Sequence, residues 1–142
     1  MDSFDFYLCD MQANLFVLSG EKGYDFNDFT NKFMNSETAW SLDQKWSPLH
    51  GMGEAYCMEE LEDSCHIKQG TSLGEDFYRW VGYLYRYWNR STKELSRDIV
   101  SQSPPELLSL IYYSFHCLDW DDVITQIKEG NKNGSVSRLL DL

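Results

Sequence analysis

Apolar residues recur along this chain at helical intervals, segment after segment. Phe4, Leu8, Met11, Leu15 and Leu18 stand at i, i+4, i+7, i+11 and i+14, one face of a helix that Ser19-Gly20-Glu21-Lys22-Gly23 should end. Phe26, Phe29, Thr30, Phe33 and Met34 repeat the spacing, with Asp25 placed to cap their amino end. Ser36 can open a further short helix through Trp40 and Leu42. Ser47-Pro48 puts a capping serine before a first-turn proline, which predicts a fourth helix over residues 48–63.

Residues 64–74 are polar and aperiodic, the best candidate for an internal loop. A long aromatic helix follows over about 75–89. Ser91-Thr-Lys-Glu94 and Ser103-Pro-Pro-Glu106 both read as capping boxes, the first for a turn carrying Leu95 and Ile99, the second for Leu107 through Phe115. Asp119 is placed to cap a last helix with Val123, Ile124 and Ile127, which Gly130 should stop. Residues 131–142 are predicted as a polar C-terminal tail that turns apolar at Leu139, Leu140 and Leu142. No segment alternates apolar and polar positions as a half-buried strand does. The expected fold is all-α: one domain over 1–130, a compact bundle of seven or eight short helices around the aromatic one.

That central helix has two unlike faces. Seven aromatics and three arginines fall between Asp76 and Arg90. At 100° per residue Arg79, Arg86 and Arg90 form one stripe with Tyr83 beside them, while Phe77, Trp80, Leu84, Tyr87 and Trp88 point away. Gly82, in mid-helix, costs about 1 kcal/mol against alanine, which suggests close approach of another backbone or a ligand. Two readings of the stripe are open. It can clamp a carboxylate or phosphate, as in a nucleotide-binding domain. Alternatively, acids of the same chain (Glu59, Glu60, Glu62 or Asp63) answer it.

Charge sharpens that choice. The net charge is −11, and residues 1–65 hold thirteen acids against three lysines, whereas 66–142 hold ten against nine lysines and arginines. So acidic a front half disfavours nucleic acid and anionic membranes and favours a basic protein partner, with Glu54, Glu59, Glu60, Glu62 and Asp63 as the partner-facing acids. No run of 18 apolar residues is present, and the first residues lack the basic region of an export signal, so a cytoplasmic protein with reduced cysteines is expected.

Catalytic and metal signatures are weak. His50, Glu54 and Cys57 share a helix face, but one straight helix holds His50 and Cys57 about 10 Å apart. Cys57, Cys65, His66 and His50 match no common zinc spacing. No phosphate loop, nucleophile elbow or metalloprotease motif occurs, so no catalytic residue, metal or cofactor is expected.

Gly82-Tyr-Leu-Tyr-Arg-Tyr-Trp88, followed by Phe115-His116-x-Leu118-Asp119 with Asp122 and Ile124, resembles small acidic bacterial proteins with a Gly-Tyr-x-Tyr-Arg-Tyr-Trp core. The opening Phe6-Tyr7-Leu8 with Asp10-Met11-Gln12, and Phe33-Met34-Asn35-Ser36, resemble the same group. Those proteins accompany toxin genes and are taken as antitoxin-like partners. The resemblance implies a binding protein that neutralises a toxin, with Gly82, Tyr85, Arg86, Trp88, His116 and Asp119 as signature positions. A buried network joining Arg86, His116 and Asp119 is one expected use of them.

Overall fold

The computed structural model describes residues 1–141. Helices α1 (Ser3–Glu21), α2 (Phe26–Met34) and α3 (Glu37–Asp43) lead through a 3₁₀ turn at Pro48–Gly51 to α4 (Gly53–Ser64). After the loop come α5 (Glu75–Thr92), α6 (Ser96–Gln102), α7 (Pro105–Phe115), α8 (Trp120–Lys132) and α9 (Ser135–Leu140). The fold is all-α, as expected. Among the described residues the sole β-type pairing is one antiparallel bridge between Tyr24 and Gln69. No helix there is long and apolar enough to cross a membrane.

The sequence caps work as chemistry predicts at three places. Asp25 accepts the amide of Asp28, Ser36 that of Ala39 and Ser47 that of Leu49. Elsewhere the chain departs from expectation. The segment after Ser47 is two elements, because Gly53 takes φ +83° and breaks the path between the 3₁₀ turn and α4. The Ser91–Glu94 capping box does not form. α5 runs on to Thr92, and Lys93 closes it in the left-handed conformation at φ 67°. Glu94 instead accepts from the Trp88 indole at 2.8 Å. Asp119 stands at the N-cap of α8 without a side-chain bond to it, and Ser103 caps nothing.

The expected polar tail is helical in part. α8 passes Gly130 to Lys132, and α9 buries Val136 against Gly130. Of the tail's apolar end, Leu139 and Leu140 are partly exposed, and Leu142 lies outside the described residues.

The most extensive helix–helix interface joins α1 to α5, and Gly82 is the reason they come so close. A Cβ at Gly82 would stand 2.6 Å from the Gln12 carbonyl oxygen and 3.0 Å from the Ala13 Cα. Gln12 Nε2 donates to the Gly82 carbonyl at 3.2 Å across this contact. Aromatic rings fill the space on either side. Phe16 meets Phe29 and Phe33 edge-on, and Phe77 meets Phe26 and Tyr112 the same way. Tyr85 and Trp88 are wholly buried, so α5 is the central helix of the bundle.

Candidate functional site

The arginine stripe of α5 points into the protein. Arg86 is fully buried, its Nε donating to Gln12 at 2.7 Å and its Nη1 to Asp43 at 2.6 Å and Asn89 at 3.1 Å. Burial lowers its pKa, and the Asp43 carboxylate works against that loss. Arg90 donates from Nε to Asp5 at 2.8 Å and from Nη1 to the Gln44 carbonyl at 2.9 Å. Arg79 alone is half exposed, held by Asn14 at 2.7 Å and by Glu75 at 3.4 Å.

Two of the stripe's three arginines, Arg86 and Arg90, are therefore tied into an internal lattice. The stripe's acids are Asp43, Asp5 and Glu75, and none of Glu59, Glu60, Glu62 or Asp63 takes part. Asp43 and Asp5 lie 43 and 85 residues away along the chain, where no spacing rule could single them out. Tyr83 lines a shallow pocket with Arg79 and Trp120. It stacks on Trp120 with ring centroids 4.8 Å apart, and burial pushes its phenol up to about 12.

Arg86, His116 and Asp119 do not meet. His116 is exposed at the end of α7, its Nδ1 2.9 Å from the Tyr112 carbonyl and its ring stacked on Tyr112. Asp119 is exposed at the start of α8. The polar network beside Trp88 is built on Glu94 instead. Its carboxylate accepts from Trp88, from Gln102 at 2.8 Å and from Lys128 at 3.0 Å, joining α5, α6 and α8. Burial raises the Glu94 pKa, but these donors together with Thr92 outweigh it and hold the group down to about 2.

Two of the four cysteines, Cys9 and Cys57, are buried. Burial pushes Cys57 up to about 11 and Cys9 up to about 12, against weak attraction from Arg86. His50 sits in the 3₁₀ turn and not on α4, with its Nε2 donating to the Leu42 carbonyl at 3.0 Å. Its ring meets Phe4 edge-on. Among the described residues no three His, Cys, Asp or Glu side chains gather as a metal set, so the Cys57, Cys65, His66 and His50 combination does not assemble.

The acids of α4 behave differently. The helix carries Glu54, Glu59, Glu60, Glu62 and Asp63 and no basic residue. Glu62 is turned to its own chain, accepting from Lys22 and from the Tyr24 hydroxyl. Among the described residues Glu54, Glu59, Glu60 and Asp63 make no ion pair. Glu59, Glu60 and Asp63 are exposed, and helical spacing sets them in one outward row with Tyr56, itself 38% exposed, while Met52, 48% exposed, precedes the helix. The Glu60 carboxylate, with Glu59 beyond it, pushes the Tyr56 phenol up. α1 packs beside α4, and near its amino end it exposes the Tyr7 ring, stacked on Phe4. The outcome is a negatively charged surface with aromatic and thioether groups set into it.

No protein-family model, no curated protein and no solved structure matches this chain.

Proposed function

We propose that this protein is a non-enzymatic binding module whose α4 face docks a basic protein, acting as an antitoxin-type inhibitor that covers its partner's working surface. One observation carries this reading: the arginines of α5 take their counter-charges from α1, α3 and α5 itself, leaving the carboxylates Glu54, Glu59, Glu60 and Asp63 uncompensated. A row of free carboxylates with exposed Tyr56 among them and Met52 just before the helix has the two ingredients of a recognition surface. Charge steers the encounter, and large, easily dehydrated side chains supply contact area. The similarity of Gly82–Trp88 to antitoxin-like proteins points the same way, with a toxin as the partner.

An arginine-based nucleotide site is the weaker reading, since Arg86 and Arg90 already have carboxylate partners within the chain, although Arg86 Nη2 is buried without one. The test is affinity capture from the cells that make the protein, with E59K/D63K as control. A basic protein retained by the wild type and released by the variant supports the reading. Recovery of the free chain alone from both counts against it.

A further inference from the structure

A groove of about 830 Å³ runs between the α2–α3 junction and α4. Its apolar lining includes Pro48, Leu49 and the ring of Tyr56. Glu37, in the first turn of α3, and Glu60, on α4, stand in opposite walls. Neither has an ion pair among the described residues. Lys32, the one cation in the lining, is already held by Asp28 at 3.0 Å and by the His66 carbonyl. The groove thus sets three carboxylates against one ammonium, which the nearest carboxylate occupies. Its size suits a few residues of peptide and not a folded body.

Such a site fits one class of side chain. Lysine and arginine combine an apolar stem with a cationic head, so the stem can lie on Leu49 and Tyr56 while the head reaches a carboxylate. The Tyr56 ring can add a cation–π contact. Two free acids in facing walls call for two cations on one segment. We propose that this groove receives a short segment of the basic partner bearing two arginine or lysine side chains, one paired with Glu37 and the other with Glu60. The inference rests on the binding-module reading and makes it specific, because it places recognition in the groove as well as on the outer row of α4.

The test is fluorescence anisotropy of the full chain with a labelled hexa-arginine peptide, hexaglutamate serving as the negative probe. E37Q/E60Q removes both unpaired groove charges with little change of shape, and D122N/E129Q removes the same charge from exposed positions on α8. The groove variant should weaken hexa-arginine binding by at least about tenfold, since charge-assisted contacts are lost. The α8 variant should change it by less than about twofold. Equal weakening in both would show that only net charge is read and would overturn the groove. So would failure of the wild type to bind the peptide.

Capture from cells separates this inference from the broader one. If E37Q/E60Q retains a basic partner as well as the wild type while E59K/D63K releases it, the groove is wrong and the α4 face stands. If the groove binds hexa-arginine yet the wild type captures no basic protein, the cation-binding groove stands and the inhibitor reading falls.

Discussion

The Arg86 guanidinium and the Asp43 carboxylate meet at 2.6 Å with each side chain only 1% exposed. Asp43 also accepts the amide of Ser96 at 2.8 Å and its hydroxyl at 2.6 Å, so one carboxylate ties α3 to α5 and α6. Replacing a buried pair whole can be nearly neutral, but removing one partner strands a charge without compensation. D43N should therefore cost about 3–5 kcal/mol by urea denaturation. In a double-mutant cycle, R86M/D43N should cost less than the two single changes combined.

Gly82 gives a prediction opposite to helix propensity. Exchanging a mid-helix glycine for alanine ordinarily gains up to about 1 kcal/mol. Here the added methyl would press on α1 backbone that cannot step aside without parting the two longest helices. G82A should instead destabilise by about 1–3 kcal/mol, read from the denaturation midpoint.

Glu94 sets a pH dependence. Its pKa is depressed from 4.5 to about 2 in the folded protein, so the unfolded chain takes up its proton first as pH falls. The stability it contributes is complete above pH 4.5 and is lost between there and about 2. Thermal midpoints of the wild type should fall across that window, and those of E94Q should start lower and fall less steeply. Asp5, Asp28 and Glu62 are also held below their ordinary values and share the remaining slope.

His50 acts at higher pH with the same sign. Burial lowers its pKa, against the Leu42 carbonyl that favours the charged ring, while Arg90 and Arg86 add repulsion. The unfolded chain then binds the proton first, and stability declines as pH falls below about 6.5. H50Q should flatten the part of the stability profile that begins near neutrality, leaving the Glu94 window in place.

Charge reversal on α4 separates binding from folding. E59K/D63K changes exposed side chains with no ion pair to lose, so stability should move by no more than about 0.5 kcal/mol per site. Loss of partner capture at an unchanged melting temperature is the expected result. A large drop in stability would mean these carboxylates serve the fold.

The elements legible in the sequence were those governed by near neighbours. Asp25 and Ser36 announce their helices because an N-cap and its amide are three residues apart. Gly82 announced a close approach because glycine is costly in mid-helix unless something needs the space. Helical angles grouped Arg79, Arg86 and Arg90 correctly, but which way a stripe faces depends on packing that no angle contains. Gln12 and Asp43, the residues that satisfy Arg86, come from separate helices. Glu94 shows the opposite failure: it satisfied a local capping pattern, yet the Trp88 indole and Lys128 compete for its oxygens and win. The acids of α4 were legible as a cluster, and only the fold distinguishes Glu62, tied to Lys22, from its four neighbours.

Arg90 closes the carboxyl end of α3 from outside, donating to the carbonyls of Leu42 and Gln44. A seven-residue helix with no cation in its own last turn is too short to persist alone. Its completion thus waits for a side chain more than forty positions downstream. During synthesis on a ribosome, the wall that carries Glu37 cannot mature until the last turn of α5 has emerged. A nascent chain stalled before that point would be blind to any ligand of the groove.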